Sequence, residues 1–350
     1  MAQELKKQGG QIFWLGHRQT MARDRHLSLE YQEVTAAEIP FYNLLAGKFD
    51  QTGNLINWLK LPLGFIQALI LLLKIQPDLV VSFGGYLAVP VVMVAWLIRI
   101  PSVIHEQTTI AGRANQLLAK IAKKVFLTWQ DSRQFFPSHK TVITGLPLRP
   151  EFIQAKKKEF FSAKRTTIYI TGGKQGSHPI NNLVAAVLPE LLTEFNLIHQ
   201  TGDSQRTRDF SRLQKLKSQL PQELKARYQL KPFFSARETG QAFLAADFVI
   251  SRAGAHTIYE LAWLGKPAIL IPLPFSAGQE QLKNAQTLAK IGLAQLLPQA
   301  DLQPKDFLFS VKAFDPKQYQ LKTKLTLTNG LKQVTTEITK FLYAAEKTQS

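Results

Sequence analysis

The sequence predicts an α/β protein built from two doubly wound parallel sheets. Short apolar segments alternate with helical patterns along the chain, several of these segments are apolar on both faces, and the alternation pauses once near the middle. Strands that are apolar on both faces are typical of parallel sheets covered by helices. The length of 350 residues also suits two domains, at roughly 150 residues per domain.

The predicted strands are short runs rich in β-branched and apolar residues. They are Gln11–Leu15, Leu79–Phe83, Ser102–His105, Val125–Thr128, Thr166–Thr171, Leu197–His199, Phe248–Ile250 and Ala268–Ile271. The segments between them predict helices, because their apolar residues recur with helical spacing. These helices are Phe65–Lys74, Val91–Arg99, Arg113–Lys123, Ile180–Phe195, Thr257–Leu264 and Glu280–Ile291.

The pause in the pattern marks a boundary between domains. Prolines at Thr144–Phe152 and a charge run at Lys156–Arg165 precede a new strand, as expected of a linker. We therefore place one domain at 1–147 and a second at 148–350, with the last helix, about 331–346, packing back on the first. Open α/β sheets bind ligands at the carboxyl ends of their strands, here between the domains.

Composition narrows the function classes. The chain has 43 Lys and Arg against 25 Asp and Glu, a net charge of +18, and no cysteine. The charge favours nucleic acid, an anionic membrane or phosphorylated substrates, although solubility alone can explain it. The absence of cysteine excludes disulfides and thiolate sites. The first residues are polar and predict no signal peptide, and the longest apolar runs are shorter than the ~18 residues of a membrane span.

Two strand-to-helix turns carry the strongest local signals. In the first, a strand leads into Gly172–Ser177 and a helix containing Asn181, a pattern that predicts an anion site at a helix N terminus. A tight structural turn is the alternative. In the second, Ser251–Thr257 leads into a helix containing Glu260, which can accept hydrogen bonds from a ribose diol. The alternative is an acidic residue that complements the helix dipole.

Other polar residues follow predicted strands. Gln281 and Asn284 share one helix face and can contact sugar hydroxyls, although solvated residues look the same. In the first half, Tyr86 follows a Gly-Gly turn, and His105 and Glu106 follow a buried strand, where ligands bind in open sheets. A hydrogen-bonded structural histidine is the alternative for His105.

The segment 57–74 is unusually apolar. Trp58, Leu63 and Phe65 lie near the cations Lys48, Lys60 and Lys74, a combination that can seat a helix in an anionic lipid interface. A fully buried helix is the alternative.

The sequence lacks the common metal and nucleophile motifs. It contains no Asp-x-Asp pair, no HExxH and no GxSxG. A nucleotide diphosphate bound by this chain is therefore expected to be stabilised by helix dipoles and basic residues, without a metal.

Together these segments closely resemble the MurG family of peptidoglycan glycosyltransferases. The resemblance is collinear from about Leu5 to Leu297. It includes SFGGY, IPSVIHEQ, TGLPLRP, TGGKQGS, HQTG, SRAGAHTIYELAWLGKPAILIPLP and Gln281-x-x-Asn284. Each motif is modest alone, and the full set in order is highly specific. The family transfers N-acetylglucosamine from a uridine diphosphate carrier onto undecaprenyl-pyrophosphoryl-muramoyl-pentapeptide, lipid I, to form lipid II.

The resemblance implies a GT-B fold, with two Rossmann-like domains and an interdomain cleft, and a role for each matching residue. The first domain is expected to face the acceptor and the membrane, and the second to bind the donor. The implied donor-binding residues are Arg149, Gly173, Lys174, Gln175, Asn181, Gly254, Ala255, His256, Thr257, Glu260, Gln281 and Asn284. The implied catalytic residues are Glu106 and His105, with Tyr86 and Thr108 on the acceptor side. A ring near the uracil is expected at Phe233 or Phe234.

The implied reaction is an inverting displacement that needs neither metal nor cofactor. The partners are UDP-N-acetylglucosamine, lipid I and the anionic inner face of the cell membrane, where the protein would be peripheral. Its products serve cell-wall synthesis, and through it cell shape and division. The alternatives are a related lipid glycosyltransferase with a diacylglycerol acceptor and a non-catalytic GT-B binding protein. Nucleic-acid binding has no supporting motif.

Three departures from the family pattern are visible. The chain begins inside the family's first helix, so that Met1–Gly9 matches only its tail, and the family's first strand and its glycine-rich loop with a histidine are not in this sequence. That strand is expected in the middle of the amino-terminal sheet, and its absence should leave its two neighbours unpaired. The histidine is the family's leading candidate for the base. Lys174 replaces the usual serine, Thr108 an asparagine, and Glu280 a glutamine of some members.

Overall fold

The chain folds into two compact units. A computed structural model describes residues 1–19, 27–44, 55–322 and 327–349. Unit 1 comprises Met1–Pro147 and Thr328–Ser350, and unit 2 comprises Leu148–Leu327. All the strand pairs of the named sheets are parallel, as expected for doubly wound α/β units.

Unit 1 alternates strands and helices through most of its length. In chain order its elements are α1 (Ala2–Lys7), β1 (Trp14–Gly16), α2 (Leu29–Ala36), β2 (Phe41–Asn43), α3 (Leu55–Ile75), β3 (Val80–Ser82), α4 (Ala88–Leu97), β4 (Ser102–Glu106), α5 (Arg113–Leu118), β5 (Lys124–Leu127) and β6 (Thr141–Ile143). Short 3₁₀ turns at Gln130–Phe135 and Ser138–Lys140 connect β5 to β6.

Unit 2 continues the same alternation. Its elements are α6 (Pro150–Ile153), β7 (Thr167–Thr171), α7 (His178–Ala186), α8 (Leu188–Glu194), β8 (Asn196–Gln200), α9 (Asp209–Gln219), α10 (Gln222–Lys225), β9 (Tyr228–Lys231), α11 (Ala236–Ala245), β10 (Phe248–Ser251), α12 (Ala255–Leu264), β11 (Ala268–Leu270), α13 (Glu280–Lys290), β12 (Ala294–Leu296) and α14 (Pro304–Ala313). The last helix, α15 (Gly330–Gln349), returns to unit 1.

The sheet of unit 1 is divided into two parts. β1 pairs with β2, and a separate sheet has the order β3-β4-β5-β6. Within the described ranges, β1 and β3 therefore each pair on one side only. Leu15 of β1 and Val80 of β3 still pack against the same apolar cluster, formed by residues such as Ala68 and Val91. Shared helices thus cover both parts.

Helices cover both faces of the four-stranded sheet. On one face, Val334 and Ile338 of α15 pack against Val103 of β4 and Phe126 of β5, with Leu5 of α1 at the margin. On the other face, α4 and α5 bury Ile104, Val125 and Leu127, together with Val92 and Leu118. Removing this apolar surface from water at roughly 25 cal/mol per Å² is the main source of stability for such a layer.

The six-stranded sheet of unit 2 has the order β12-β11-β10-β7-β8-β9. After β7 the chain adds β8 and β9 on one side and then returns to add β10, β11 and β12 on the other. The direction of winding therefore reverses between β7 and β10. Their last residues, Thr171 and Ser251, are register partners. Such a switch point opens a crevice at the carboxyl ends of the two strands, where ligands bind.

Most predicted elements are present, with differences at the edges of the sheets. β2, β6, β9 and β12 were not predicted, because they are three or four residues long and only partly buried. The helix predicted at Ile180–Phe195 is wrong in its continuity, since it divides into α7 and α8 at Val187, just before Pro189. Proline cannot donate the backbone hydrogen bond that a continuous helix requires there.

Candidate functional site

The switch point of unit 2 brings together the two turns that the sequence singles out. The glycine loop, Gly172–Ser177, connects β7 to α7, and a second loop, Arg252–Gly254, connects β10 to α12. Because β7 and β10 are neighbours in register, the N termini of α7 and α12 lie at the same edge of the sheet. Two helix N termini at one edge favour an anionic ligand.

The glycine loop adopts a conformation that only glycine accepts at two positions. Gly173 and Gly176 have φ angles of +81° and +75°. A Cβ at Gly176 would lie 1.9 Å from the Thr201 carbonyl oxygen, and one at Gly172 would lie 2.2 Å from the Ser177 nitrogen. The loop therefore packs backbone against backbone, and no side chain separates it from the chain beneath.

The second loop leaves space beside its glycine. Gly254 is the N-cap of α12, with φ of −68° and no heavy atom within 4 Å of a Cβ built there. Ala253 is fully buried, and its carbonyl oxygen accepts a 3.1 Å hydrogen bond from Asn284 Nδ2 of α13. The loop is thus fixed on its inner side and open at Gly254, where a ligand can approach the backbone closely.

Four predicted residues from three segments interact electrostatically at this edge. Burial raises the pKa of Glu260 to about 7, although the positive charges of Arg149 and Lys174 lower it. The pKa of His256 lies below its usual range because of desolvation, with further lowering by the same two cations. Arg149 is the N-cap of α6, and Lys174 lies in the glycine loop. The structure therefore brings two cations near a carboxylate that is poorly solvated.

Arg252 was not predicted as a functional residue, yet it connects three segments of the site. It is 8% exposed. Its Nε donates to Ser177 Oγ at 2.9 Å, its Nη1 to the carbonyl oxygens of Ile271 and Pro272 at 3.0 and 3.3 Å, and its Nη2 to Gln299 Oε1 at 2.5 Å. Desolvation lowers the pKa of Arg252 to about 10. These acceptors are all neutral, so the guanidinium adds a buried positive charge beside the glycine loop.

Three of the predicted amide side chains support loops. Asn181 and Asn284 are each 1% exposed. Asn181 Nδ2 donates to the Thr201 carbonyl oxygen and to Asp209 Oδ2, and Asn284 Nδ2 donates to the Ala253 carbonyl oxygen. Gln281 Oε1 accepts a 3.0 Å hydrogen bond from the Leu273 backbone nitrogen, in the loop after β11. Gln175 is exposed, and Gly173, Ala255 and Thr257 are partly exposed, so these four remain accessible at the edge.

The two phenylalanines expected near a base differ in exposure. Phe234 is 2% exposed, and its ring lies 6.1 Å from that of Tyr169. Phe233 keeps 37% of its surface exposed. Phe233 is therefore the ring that a ligand can reach.

In unit 1, Glu106 organises the loop that follows β4. It is 3% exposed. Its Oε1 accepts hydrogen bonds from the nitrogen and hydroxyl of Thr108 at 3.1 and 2.9 Å, and its Oε2 accepts from Gly112 N at 3.0 Å and Asn115 Nδ2 at 2.9 Å. His105 is fully buried, with Nε2 3.1 Å from the Gly145 carbonyl oxygen. Asn115 was not predicted as a site residue, because its contact with Glu106 exists only once the loop folds back onto that carboxylate.

Tyr86 and His17 lie together at the carboxyl ends of β3 and β1. Their rings are 5.7 Å apart. Burial raises the pKa of Tyr86, and partial burial lowers that of His17 against an opposing effect of Glu30. The sequence identified Tyr86, whereas His17 could be placed beside it only from the tertiary structure.

Helices α3 and α4 expose a set of large apolar side chains. On α3, Leu63, Ile66, Ile70 and Leu73 are each 53–60% exposed, at spacings that place them on one helix face. On α4, Trp96 and Leu97 are 56% and 70% exposed. We call these six residues the apolar face. They lie near the exposed cations Lys74 and Arg99 in the sequence.

The residues predicted from the apolar segment have different positions. Leu63 belongs to the apolar face, whereas Phe65 is half-buried and packs against the core of unit 1. The side chains of Trp58 and Lys60, and all of Lys48, lie outside the described residues. Among the helices that are described, none has the combined length and hydropathy needed to cross a membrane.

Comparisons with known proteins identify the family. Residues 1–127 match the glycosyltransferase family 28 N-terminal domain, and residues 167–338 match its C-terminal domain. A Bacillus cereus protein is 31% identical over 324 residues, 89% of this chain and 88% of its own length. Its name is UDP-N-acetylglucosamine--N-acetylmuramyl-(pentapeptide) pyrophosphoryl-undecaprenol N-acetylglucosamine transferase 2. The chain belongs to the MurG family of glycosyltransferases.

Other relatives of the family agree with this assignment. A Desulfotalea psychrophila transferase with the same name, without the number, is 34% identical over 298 residues, 84% of this chain and 77% of its own. Acinetobacter baumannii MurG superposes with a TM-score of 0.64 at 29% identity, covering 89% of this chain and 85% of that structure. S. aureus MnaA, solved with UDP, has a TM-score of 0.63 at 13% identity, covering 95% and 96%, a likeness of fold alone. The predicted GT-B fold is thereby confirmed.

For this MurG-family chain, the raised pKa of Glu260 makes stability depend on pH. The folded-state pKa of about 7 exceeds the ordinary value of 4.5, so the folded protein holds this proton more tightly than the unfolded chain. The contribution of Glu260 to stability is therefore most favourable below pH 4.5 and is lost as the pH rises from there through about 7.

We expect Glu260→Gln, which stays neutral, to raise the free energy of unfolding above that of wild type at pH 8, and by less at pH 5. The gain at pH 8 should not exceed about 3 kcal/mol, because one pKa unit corresponds to ~1.36 kcal/mol. Urea unfolding at the two pH values measures it. Glu223→Gln, at an exposed position of α10, is the matched control and should show no such pH difference. Equal effects of Glu260→Gln at both pH values would contradict the raised pKa.

Proposed function

We propose that this chain transfers N-acetylglucosamine from UDP-N-acetylglucosamine to undecaprenyl-pyrophosphoryl-muramoyl-pentapeptide, lipid I. The observation that carries the proposal is the convergence of two helix N termini with Arg149, Lys174 and Glu260 at the switch point of unit 2. The names of the Bacillus cereus and Desulfotalea psychrophila relatives, which contain the same donor and acceptor, support it.

The donor would bind with its diphosphate at the N termini of α7 and α12. Their N termini and the charges of Arg149, Lys174 and Arg252 favour an anion there. A ribose diol can donate hydrogen bonds to the Glu260 carboxylate, and the exposed Phe233 can stack on the uracil. The predicted donor residues Gly173, Gln175, Gly254, Ala255, His256, Thr257, Gln281, Asn181 and Asn284 line this edge or support its loops.

The proposed reaction is a single displacement with inversion at the anomeric carbon. The muramoyl 4-hydroxyl oxygen forms the new bond to that carbon as the bond to the diphosphate oxygen breaks, and the electron pair leaves with UDP. Negative charge that develops on the leaving diphosphate is stabilised by the helix N termini and by the cations around them. We therefore propose that the reaction needs no metal and no cofactor.

The acceptor is assigned to the carboxyl edge of unit 1. Tyr86 and Thr108 are the predicted acceptor-side residues, and His105 and Glu106 remain our predicted catalytic residues for accepting the hydroxyl proton. In the structure, Glu106 accepts hydrogen bonds from Thr108, Gly112 and Asn115. Organising this loop is a second role that we propose for Glu106.

The acceptor carries a lipid, so the protein must meet a membrane surface. We propose that the apolar face of α3 and α4 inserts shallowly into the inner face of the cell membrane, with Lys74 and Arg99 contacting anionic headgroups. A helix with exposed apolar residues flanked by cations binds such an interface. The protein would then be peripheral, with a role in peptidoglycan synthesis and, through it, in cell shape and division.

We expect purified protein to release UDP from UDP-N-acetylglucosamine when a lipid I analogue is present, with EDTA in the buffer. Glu260→Ala should reduce kcat/KM for the donor by about 30-fold or more, because hydrogen bonds to a charged group contribute ~2 kcal/mol. Exposed Glu223→Ala should leave kcat/KM unchanged. A coupled assay of UDP release measures both.

The same assay separates the alternatives. UDP release with diacylglycerol and none with the lipid I analogue would favour the related lipid glycosyltransferase. Binding of UDP-N-acetylglucosamine without transfer to either acceptor would favour a non-catalytic binding protein. Turnover that requires an added divalent metal would contradict the proposed stabilisation of the leaving group.

Membrane binding is tested by placing a charge on the apolar face. Ile70 is 60% exposed, and Ile70→Glu should weaken binding to vesicles containing anionic phospholipid by about tenfold or more. Phe309, 75% exposed on α14 of unit 2, provides the control Phe309→Glu, which should bind as wild type does. Cosedimentation with vesicles measures the binding. Equal binding of wild type and Ile70→Glu would exclude this face.

A further inference from the structure

A hydrogen-bond network of buried polar side chains lies beneath the glycine loop. Asp209, the first residue of α9, is 4% exposed, Asn181 is 1% exposed and His199 is fully buried. Asp209 Oδ2 accepts hydrogen bonds from Asn181 Nδ2 and Thr207 Oγ1, both at 3.0 Å. Its Oδ1 lies 2.8 Å from His178 Nδ1 and accepts from Arg212 Nη2 at 3.2 Å. A buried carboxylate with this many partners is held rigidly.

The hydrogen bonds of this network fix the orientation of the Asn181 side-chain amide. Asn181 Nδ2 donates to the Thr201 carbonyl oxygen at 2.9 Å as well as to Asp209, so its Oδ1 is the acceptor for His199 Nε2 at 3.0 Å. His199 Nδ1 then accepts from the Tyr228 hydroxyl at 2.9 Å. Burial lowers the pKa of His199 to about 3, which keeps the ring in the neutral form that this pattern requires.

One branch of this hydrogen-bond network ends at the carbonyl oxygen of Thr201, and the glycine loop packs against that oxygen. The Thr201 carbonyl oxygen faces Gly176 so closely that a Cβ there would lie 1.9 Å from it. The next residue, Gly202, also packs closely against the glycine loop, because a Cβ built on Gly202 would lie 2.3 Å from the Gln175 carbonyl oxygen. A shift of the Thr201 carbonyl must therefore move the glycine loop, because nothing compressible separates the two backbones.

We propose that Asp209 is a positioning residue, which acts through Asn181 and the Thr201 carbonyl to hold the glycine loop in the conformation that binds a diphosphate. The inference rests on the proposed function, since it assigns the diphosphate to this loop. It adds a residue that lies on the far side of Asn181 from the loop and that no motif of the donor site includes. Because Asp209 is only 4% exposed, its effect reaches the ligand through the backbone.

A purely structural role makes a different prediction from a positioning role. General loosening of unit 2 would weaken uridine and UDP alike, because both need the folded unit. Loss of the loop conformation would weaken UDP and spare uridine, because only UDP carries the diphosphate. The ratio of the two affinities therefore separates the roles.

The experiment is calorimetric titration of the full chain with UDP and with uridine. Asp209→Ala should weaken UDP binding by about tenfold or more, as expected for groups displaced by a fraction of an ångström, and leave uridine within twofold of wild type. Asp209→Asn retains an oxygen that can accept from Asn181, and should restore UDP affinity to within about threefold of wild type. Leu213→Ala, a fully buried change in the same helix, is the control for instability and should leave the ratio unchanged.

Equal weakening of UDP and uridine by Asp209→Ala, or no weakening of either, would overturn the proposal. If that variant does not fold, Tyr228→Phe is tested instead. This change removes a single hydroxyl, which bonds His199 at the end of the hydrogen-bond network opposite Asp209. A selective loss of UDP affinity of about threefold or more then supports the proposal, and unchanged affinities overturn it. If wild-type protein binds no UDP, the proposed function and this inference are both overturned. If wild-type protein binds UDP and Asp209→Ala leaves the ratio of UDP to uridine affinity unchanged, the inference alone is overturned.

Discussion

The pairing of β7 with β10 is the constraint on which the candidate site depends, because it holds two strand-to-helix turns at one edge of the six-stranded sheet. At this edge, burial moves the pKa values of Glu260 and Arg252 toward the neutral form. Arg149 and Lys174 add positive charge at the same place. We propose that an anion bound at the helix N termini interacts favourably with this positive charge, which would make a diphosphate a suitable ligand.

Much of the fold could be predicted because the central strands are buried on both faces. β4, β7, β8 and β10 are buried at every residue, and each contains a run of two or three consecutive apolar residues that is visible in the sequence. β6 and β9 escaped prediction because they are short and only partly buried, so their side chains carry a weaker pattern. The division of the unit 1 strands into two sheets has no signature in hydrophobic patterning alone.

The sequence predicted those residues of the candidate site whose role depends on their neighbours in the sequence. Glu260 and the glycine loop stand out because each follows a strand and lies at or near the start of a helix, a relation between neighbours in the sequence. Arg252 and Asp209 escaped notice because their partners are remote: Arg252 binds Ser177, 75 residues away, and Asp209 binds Asn181, 28 residues away. Such contacts exist only once the sheet order is known. The charge of the chain indicated anionic partners without locating them.

A crystal structure of the protein with UDP would locate the donor in unit 2. It should show the diphosphate oxygens within hydrogen-bond distance of backbone nitrogens of the glycine loop or the N terminus of α12, and the ribose hydroxyls on Glu260. The side chains of Arg149 and Lys174 should face the phosphates. Density for UDP at another edge of unit 2, or a diphosphate turned toward solvent with Glu260 unoccupied, would contradict the central claim.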